Sequence, residues 1–280
     1  MAETAAFHDP NKRLLKLSPL PPYKLPAHPL LASKQTQSGQ PTLRTFVTEL
    51  LTEAVAFSDS IVPNQFRMKS SSKSSAPAKA DVAVLSCDSL VDGTWFARQS
   101  LHEDKAEVGT ASWSEFVNGL CMEHSKHEAE YTDGVVDARK VMGWEEEVRH
   151  LEEEGAFEES GFEHVGVAVY EMVHKIPFPL DNRVFSVIVV TALTGGAGTG
   201  AEEGFVVAQV PVDLHGVPEA IYTNGTNKKE GSNAEQRKTV TIGEYVSIER
   251  VKRKATGIWW EMATASDAKG NLPMGMQKMG

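Results

Sequence analysis

Gly257-Ile258-Trp259-Trp260-Glu261-Met262-Ala263-Thr264-Ala265-Ser266-Asp267-Ala268-Lys269-Gly270-Asn271-Leu272-Pro273 reads as a strand of aromatic and β-branched side chains stopped by an Asp-x-x-Gly turn. Asp hydrogen-bonds its own backbone in such a turn, and Gly accepts positive φ. Pro273 then stands where a helix begins, because its missing N–H and fixed φ suit the first helical position. Only Met274 to Gly280 remain, barely two turns, so the helix that this strand feeds is expected to be incomplete. Side chains alternate along a strand. Trp260, Met262 and Thr264 therefore share one face and Trp259, Glu261 and Ala263 the other.

The stretch has company upstream. Val165–Ile176, Arg183–Leu193, Gly204–Val212 and Thr239–Val251 are further strand-like runs, with shorter ones at Thr94–Leu101 and Val135–Val141. Turn-forming segments part them, notably Pro177–Asn182 and Thr194–Gly200. Consecutive strands joined this way imply an antiparallel meander rather than βαβ units. A curved sheet of that kind needs a helical cover on its concave face, which gives an α+β fold. Two helices are legible. Thr42–Ile61 carries an apolar stripe at Leu43, Phe46, Val47, Leu50, Leu51, Ala54 and Phe57. Ser112-x-x-Glu115 is a capping box, in which Ser and Glu satisfy each other's backbone donors. The helix it opens places Trp113, Phe116, Val117, Leu120, Cys121 and His124 on one face and should end near Tyr131. The Glu-dominated residues 145–160 read as a solvated helix or loop.

Composition divides the chain into a flexible Pro-rich arm (1–40), an N-terminal helix (41–62), a low-complexity linker (63–91) and a main domain (92–280). With 41% hydrophobic and 24% charged residues, the chain can bury a sizeable core. A net charge of -10 leaves no basic surplus to neutralise phosphates, so nucleic acid is not an expected partner. The cluster Arg250-Val-Lys-Arg-Lys254 lies between two strands and reads as a solvated hairpin tip. Two cysteines, Cys87 and Cys121, provide neither a disulfide framework nor a metal-ligand spacing. With no spanning apolar run and no signal-peptide pattern, a cytoplasmic location is expected.

Three blocks, in order, resemble the START-like (helix-grip, SRPBCC) superfamily, and most of all its fungal DUF3074 branch. They are Tyr170-Glu-Met-Val-His-Lys-Ile-Pro-Phe-Pro-Leu-Asp-Asn-Arg-Val-Phe185, Gly243-Glu-Tyr-Val-Ser-Ile-Glu-Arg-Val251 and Trp260-Glu-Met-Ala-Thr-Ala-Ser-Asp-Ala-Lys-Gly-Asn-Leu-Pro273. The resemblance covers roughly Trp95 to Gly280. It implies a bent antiparallel sheet gripping a C-terminal helix, with a hydrophobic tunnel between them. The departure is the short remainder after Pro273, where the gripped helix should run.

Candidate ligand contacts follow from the implied tunnel. Glu171 and Lys175 share one face of their strand, so Tyr170, Met172 and His174 are expected inward, joined by Trp260 and Met262. Either of the adjacent tryptophans is more often a core filler than a ligand contact. Arg183 is either a polar anchor for a headgroup or a structural ion pair with Glu171, Glu249 or Glu261, and the second reading is favoured. His124-Ser-Lys-His127-Glu128 has metal-ligand spacing on one helical face, yet capping or solvated histidines explain it better; no metal is expected. Gly195–Gly200 opens no helix and precedes no Lys-Ser/Thr, so it is a hairpin loop, not a phosphate cradle. No Gly-x-Ser-x-Gly elbow occurs, and no catalytic residue or cofactor is assigned.

The expected function is therefore sequestration or transfer of a lipid or other hydrophobic small molecule, a role compatible with transient membrane contact. The alternatives are a cyclase-type enzyme acting on a polyketide-like substrate, for which His174 with Glu261 is the one acid–base pair on offer, and a protein-interaction module. Oligomeric state is left open.

Overall fold

A computed structural model describes residues 13–32, 39–72, 76–90, 93–195 and 202–269. The helix expected after Pro273 and the glycine-rich stretch 196–200 lie outside them. Nine strands form one curved sheet: β1 Arg67–Ser72, β2 Val82–Leu90, β3 Gly93–His102, β4 Val135–Gly143, β5 Phe162–His174, β6 Asn182–Thr194, β7 Gly204–Pro211, β8 Val240–Lys254 and β9 Gly257–Asp267. Their spatial order is β1-β2-β3-β9-β8-β7-β6-β5-β4. Neighbours pair antiparallel, and one parallel contact joins Asn182–Phe185 of β6 to Val240–Gly243 of β8. The meander read from sequence holds from β4 to β9, and the expected α+β architecture is present.

The helices are α1 Leu43–Ala56, α2 Val62–Gln65, α3 Trp113–Phe116, α4 His124–Tyr131, α5 Glu145–Glu153 and α6 Asn227–Glu230. Thr42 caps α1 by accepting the Thr45 N–H, at 3.1 Å. The stripe expected on α1 is the face it buries: Phe46, Val47, Leu50, Leu51 and Ala54 are shielded, and the run continues through Phe57, Ile61 and Val62. A π-helical turn, Phe57–Ile61, follows α1. There Ser58 Oγ donates to Glu261 Oε1 at 2.5 Å, fastening this N-terminal segment to β9.

The chain between β3 and β4 must travel from the middle of the sheet to its far edge. It does so along one face through α3, a second π turn (Val117–Cys121) and α4. The capping box is formed: Glu115 Oε2 accepts the Ser112 N–H at 2.8 Å, and Ser112 Oγ accepts the Glu115 N–H. The expected single helix to Tyr131 is interrupted, however. Glu123 adopts a left-handed φ of 45°, and α4 restarts in a new direction.

Two expectations about organisation need correcting. Part of the supposed flexible arm is built into the core, with Leu15, Leu20, Leu25 and Leu31 essentially inaccessible to solvent. Leu20 makes backbone hydrogen bonds with Pro211 and Asp213, and Ala27 O accepts from Trp144 Nε1 at 2.9 Å. The reason is spacing. Four leucines without helical or strand period can still be buried one at a time if the backbone between them finds partners. Likewise, β1 and all of β2 fall in the segment expected as a linker; the short apolar run Val82-Ala-Val-Leu85 stands out little from its serine-rich surroundings.

The arm leucines belong to the same apolar cluster as α1 and the sheet. Leu31→Ala is therefore expected to cost about 2–5 kcal/mol of stability, as for other fully buried leucines. Urea unfolding monitored by tryptophan fluorescence would measure it. A change below about 0.5 kcal/mol, the size typical of surface substitutions, would mean that the arm is peripheral.

Candidate ligand-binding site

Strand alternation sorts the sheet into two unlike faces. Cross-strand register fixes which residues share each: Met172 lies opposite Phe185, His174 opposite Arg183, Glu249 opposite Met262, Ser247 opposite Thr264 and Val251 opposite Trp260. One face presents Val169, Ile188, Val190, Val206, Ala208, Val246, Ile248 and Ala263, all buried with α1 and the arm. The other carries every residue of the pairs just named. Over part of it, Trp113, Phe116, Leu120 and Cys121 pack on Tyr170, Met172, Val187, Val189, Phe205 and Val207. At the margin of that cover, His174, Phe185, Tyr245, Trp260, Met262 and Thr264 are only partly buried.

Those partly buried side chains are arranged as a row of rings. His174 meets the edge of Phe185 at 5.3 Å between centroids, and Phe185 meets Tyr245 at 5.9 Å. Farther along, Trp260 contacts Phe116 and His102, each at 6.0 Å. Gly243, paired with Phe185 across the parallel contact, permits the row: a Cβ there would overlap the Phe185 ring.

Between the two ring groups lies a buried polar cluster. The break at Glu123 turns His124 toward the sheet. Its Nδ1 donates to Leu120 O at 2.6 Å, so Nε2 is the acceptor, and Gln209 Nε2 donates to it at 3.1 Å. Glu128 and Glu249 each bring a carboxyl oxygen near that same Nε2, at 3.6 and 3.7 Å. Trp260 Nε1 donates to Glu249 Oε2 at 3.0 Å. Burial pushes the Glu249 carboxyl up to about 7, against the opposing pull of the Trp260 N–H. It raises Glu128 too, though His124 works against it, and it lowers His124. Near neutral pH the cluster thus holds a neutral imidazole beside a carboxyl that is partly protonated. Among the described residues, no group of three or more His, Cys, Asp and Glu side chains is arranged to hold a metal ion. His127, the other histidine of that motif, faces solvent and pairs with Glu130 at 3.1 Å.

All six sequence-derived candidates lie on this second face, but in different settings. Tyr170 and Met172 are buried beneath the α3 segment. Met262 and His174 border the open part, and burial pushes the His174 imidazole down to about 4. Trp260 packs against Phe116 and also holds Glu249, a structural and a polar role at once. Arg183, only 2% exposed, uses its guanidinium on backbone carbonyls: Nε donates to Ala268 O at 2.6 Å, Nη1 to Asp181 O at 2.5 Å and Nη2 to Lys269 O at 3.3 Å. Of the expected partners, Glu249 shares this face but accepts from Trp260, and the other two face away. Glu171 points to the opposite face, where it accepts the N–H groups of Tyr222 and Thr223. Glu261 also faces that way, accepting from Ser58 and Gln99. The suggested His174–Glu261 acid–base pair is thereby dismantled, since the sheet itself separates its members.

Sequence reading missed Glu249, Gln209, Phe185 and Tyr245. For three of them the signal was present, because alternation in Tyr245-Val-Ser-Ile-Glu249 and Arg183-Val-Phe185 sets their face once one inward residue is known. A cleft of 310 Å³ lies between α4, α5 and β5 and adjoins the polar cluster, with Cys121, His124 and Val189 in its lining. Its lining includes Lys126, Lys140, Glu145, Arg149 and Glu152, and of the six candidates only Tyr170.

A family model described as "Protein of unknown function (DUF3074)" matches residues 95–280. None of the curated proteins matches this sequence. Among solved structures, the chain is similar to human STARD10, at 11% identity and a TM-score of 0.45, over 81% of this chain and 71% of that one. It is also similar to the lipid transfer and protein localization domain of human StarD13 (DLC2), at 11% identity and a TM-score of 0.41, over 73% and 78% of the two chains.

The Glu249 environment has a consequence for stability. A carboxyl that titrates near 4.5 when unfolded and about 7 when folded keeps its proton longer in the native state. Its contribution is complete below the lower value and is lost as pH rises through the upper one. Relative to Glu249→Gln, the native protein should lose about 2–3 kcal/mol between pH 5 and pH 8. Thermal unfolding of both proteins across that range tests this, and parallel pH profiles would show that Glu249 is not desolvated.

Proposed function

The chain belongs to the DUF3074 family, and from that premise we propose that it binds a lipid or other hydrophobic small molecule on the second face of its sheet, sequestering or transferring it in the cytosol. The observation that carries this reading is the contrast between faces. One is sealed by α1 and the arm, while the other leaves His174, Phe185 and Tyr245, and beyond the polar cluster Trp260 and Met262, only partly buried. Large apolar side chains left contiguous at a surface mark a place where something else binds. We place Met262, Trp260 and His174 in contact with the ligand, Tyr170 and Met172 in the wall behind it, and Arg183 as the tie that fixes where the chain leaves β9.

Magnitudes say how such binding must work. A molecule pressed on the open row alone, burying about 200 Å² of its apolar surface, gains about 5 kcal/mol. Association costs at least about 4 kcal/mol and up to 15 or more. A second wall doubles the buried area and makes retention favourable. Uptake and release therefore require that a cover move, and transfer would consist of that movement.

Purification without detergent, followed by mass spectrometry of an organic extract, should recover a stoichiometric apolar molecule. Met262→Asp puts a charge at the open edge of the row without emptying the core. It should reduce the recovered molecule at least about tenfold, the effect of desolvating a carboxylate against an apolar ligand, with a cooperative unfolding transition retained. A native protein that carries no such molecule and takes up no apolar dye would overturn the reading.

A further inference from the structure

The cleft between α4, α5 and β5 lies outside the apolar ground just described, and its walls hold polar groups that the protein leaves unused. Ser125 lines it, is only 1% exposed, and its Oγ makes no hydrogen bond. Tyr170 lines it from β5, and its hydroxyl makes no hydrogen bond to any described residue. Buried polar groups in native proteins are nearly always paired, so a deeply buried hydroxyl left unpaired on the wall of a cavity points to a molecule that belongs there.

Ser125 stands in the first turn of α4, and the break at Glu123 is what sets that turn against the cleft. The opening N–H groups of a helix have no acceptor within it. Glu123, at the cap position with its left-handed backbone, offers them no side-chain bond. A helix start of this kind carries roughly half a positive charge, and His124, Ser125 and Lys126 border the cavity with it. Three carboxylates and three cations also line the cleft. Glu123 holds Lys126, Glu145 holds Lys140, and Glu152 Oε1 accepts the Val165 N–H at 2.7 Å. Arg149, exposed on α5, pairs with no carboxylate among the described residues. The remaining wall is apolar, with Val165, Ala168 and Val189. A cation would meet the positive end of α4 and Arg149. A wholly apolar molecule would leave the Ser125 hydroxyl unpaired.

We propose that this cleft is a second binding site, for a small organic oxyanion: a phosphate or carboxylate carried on a compact apolar body. The anion accepts from Ser125 Oγ, from the first N–H groups of α4 and from the Arg149 guanidinium, whose planar fork suits such oxygens. The Tyr170 hydroxyl donates where the anion meets the apolar wall, and the body lies on Val165, Ala168 and Val189. At 310 Å³ the cleft stands at the small end of ligand sites, which span about 300–1,000 Å³.

Isothermal titration calorimetry of the full chain with phenyl phosphate, phenol and inorganic phosphate tests this. Phenyl phosphate should bind at least about tenfold more tightly than either of the others, since phenol lacks the charged hydrogen bonds and inorganic phosphate the apolar contact. Ser125→Ala and Arg149→Gln should each weaken phenyl phosphate about tenfold, the loss of one hydrogen bond to a charged group, with thermal unfolding unchanged. Met262→Asp, which disables the apolar face proposed above, should leave phenyl phosphate affinity within about twofold, as for distant independent sites. Phenol binding as tightly as phenyl phosphate, or affinity that survives both cleft variants, overturns the site. Loss of phenyl phosphate binding in Met262→Asp does so as well, by moving the ligand onto the sheet face. Vesicles of phosphatidylcholine and phosphatidic acid that displace phenyl phosphate would overturn the small-molecule assignment in favour of a lipid headgroup.

Discussion

Both faces of the long strands are apolar, and that constraint shapes everything else in the molecule. From β5 to β9 odd and even positions alike carry valine, isoleucine, phenylalanine or tryptophan, so each side of the sheet requires its own cover. Area argues that neither cover is optional. A buried aliphatic side chain is stabilised by about 1.5–3 kcal/mol, and the sheet has dozens of them on the two faces together. The first cover is supplied by α1, the π turn after it and the leucines of the N-terminal arm. The second is supplied in part by the β3–β4 connection, which has to cross the sheet in any case.

Incomplete coverage on the second side is what makes a site. The same break at Glu123 that ends the first half of the connecting helix swings His124 and Glu128 down onto β7 and β8. A polar cluster therefore sits between two groups of aromatic rings, at the edge of the covered region. Desolvation keeps its imidazole neutral and raises the Glu249 carboxyl to about 7. Opposite it, through the sheet, Glu171 and Glu261 do purely structural work: one caps the turn at Tyr222 and Thr223, the other fastens Ser58 and Gln99. These four acids thus divide by face into two that fasten neighbouring segments and two that belong to the polar cluster.

Much of this was legible from residue order. Period-two alternation located every strand from β3 to β9 to within a few residues, the capping box placed α3, and the stripe at Phe46, Val47, Leu50 and Leu51 announced a docking helix. Alternation along β5 also puts Tyr170, Met172 and His174 on the face opposite Glu171. The errors share a cause. An isolated leucine among prolines carries no period, and a serine-rich strand carries no hydrophobic contrast, so the arm and β1 were read as unstructured. Arg183 was matched to glutamates because charge suggests charge; backbone carbonyls as partners leave no trace in sequence.

What the chain's residues determine unaided is local: which segments extend, which coil, and which side of each a given residue takes, because these depend on neighbours two to four positions away. The tertiary structure alone decides which face is sealed and which is left open, since that depends on where α1, the arm and the β3–β4 connection come to rest. It alone brings His124 and Glu128 against Gln209 and Glu249, some eighty to a hundred and twenty residues further along, and turns four unremarkable positions into one desolvated cluster. Burial of charge is a property of the assembled whole, and no short stretch of sequence contains it.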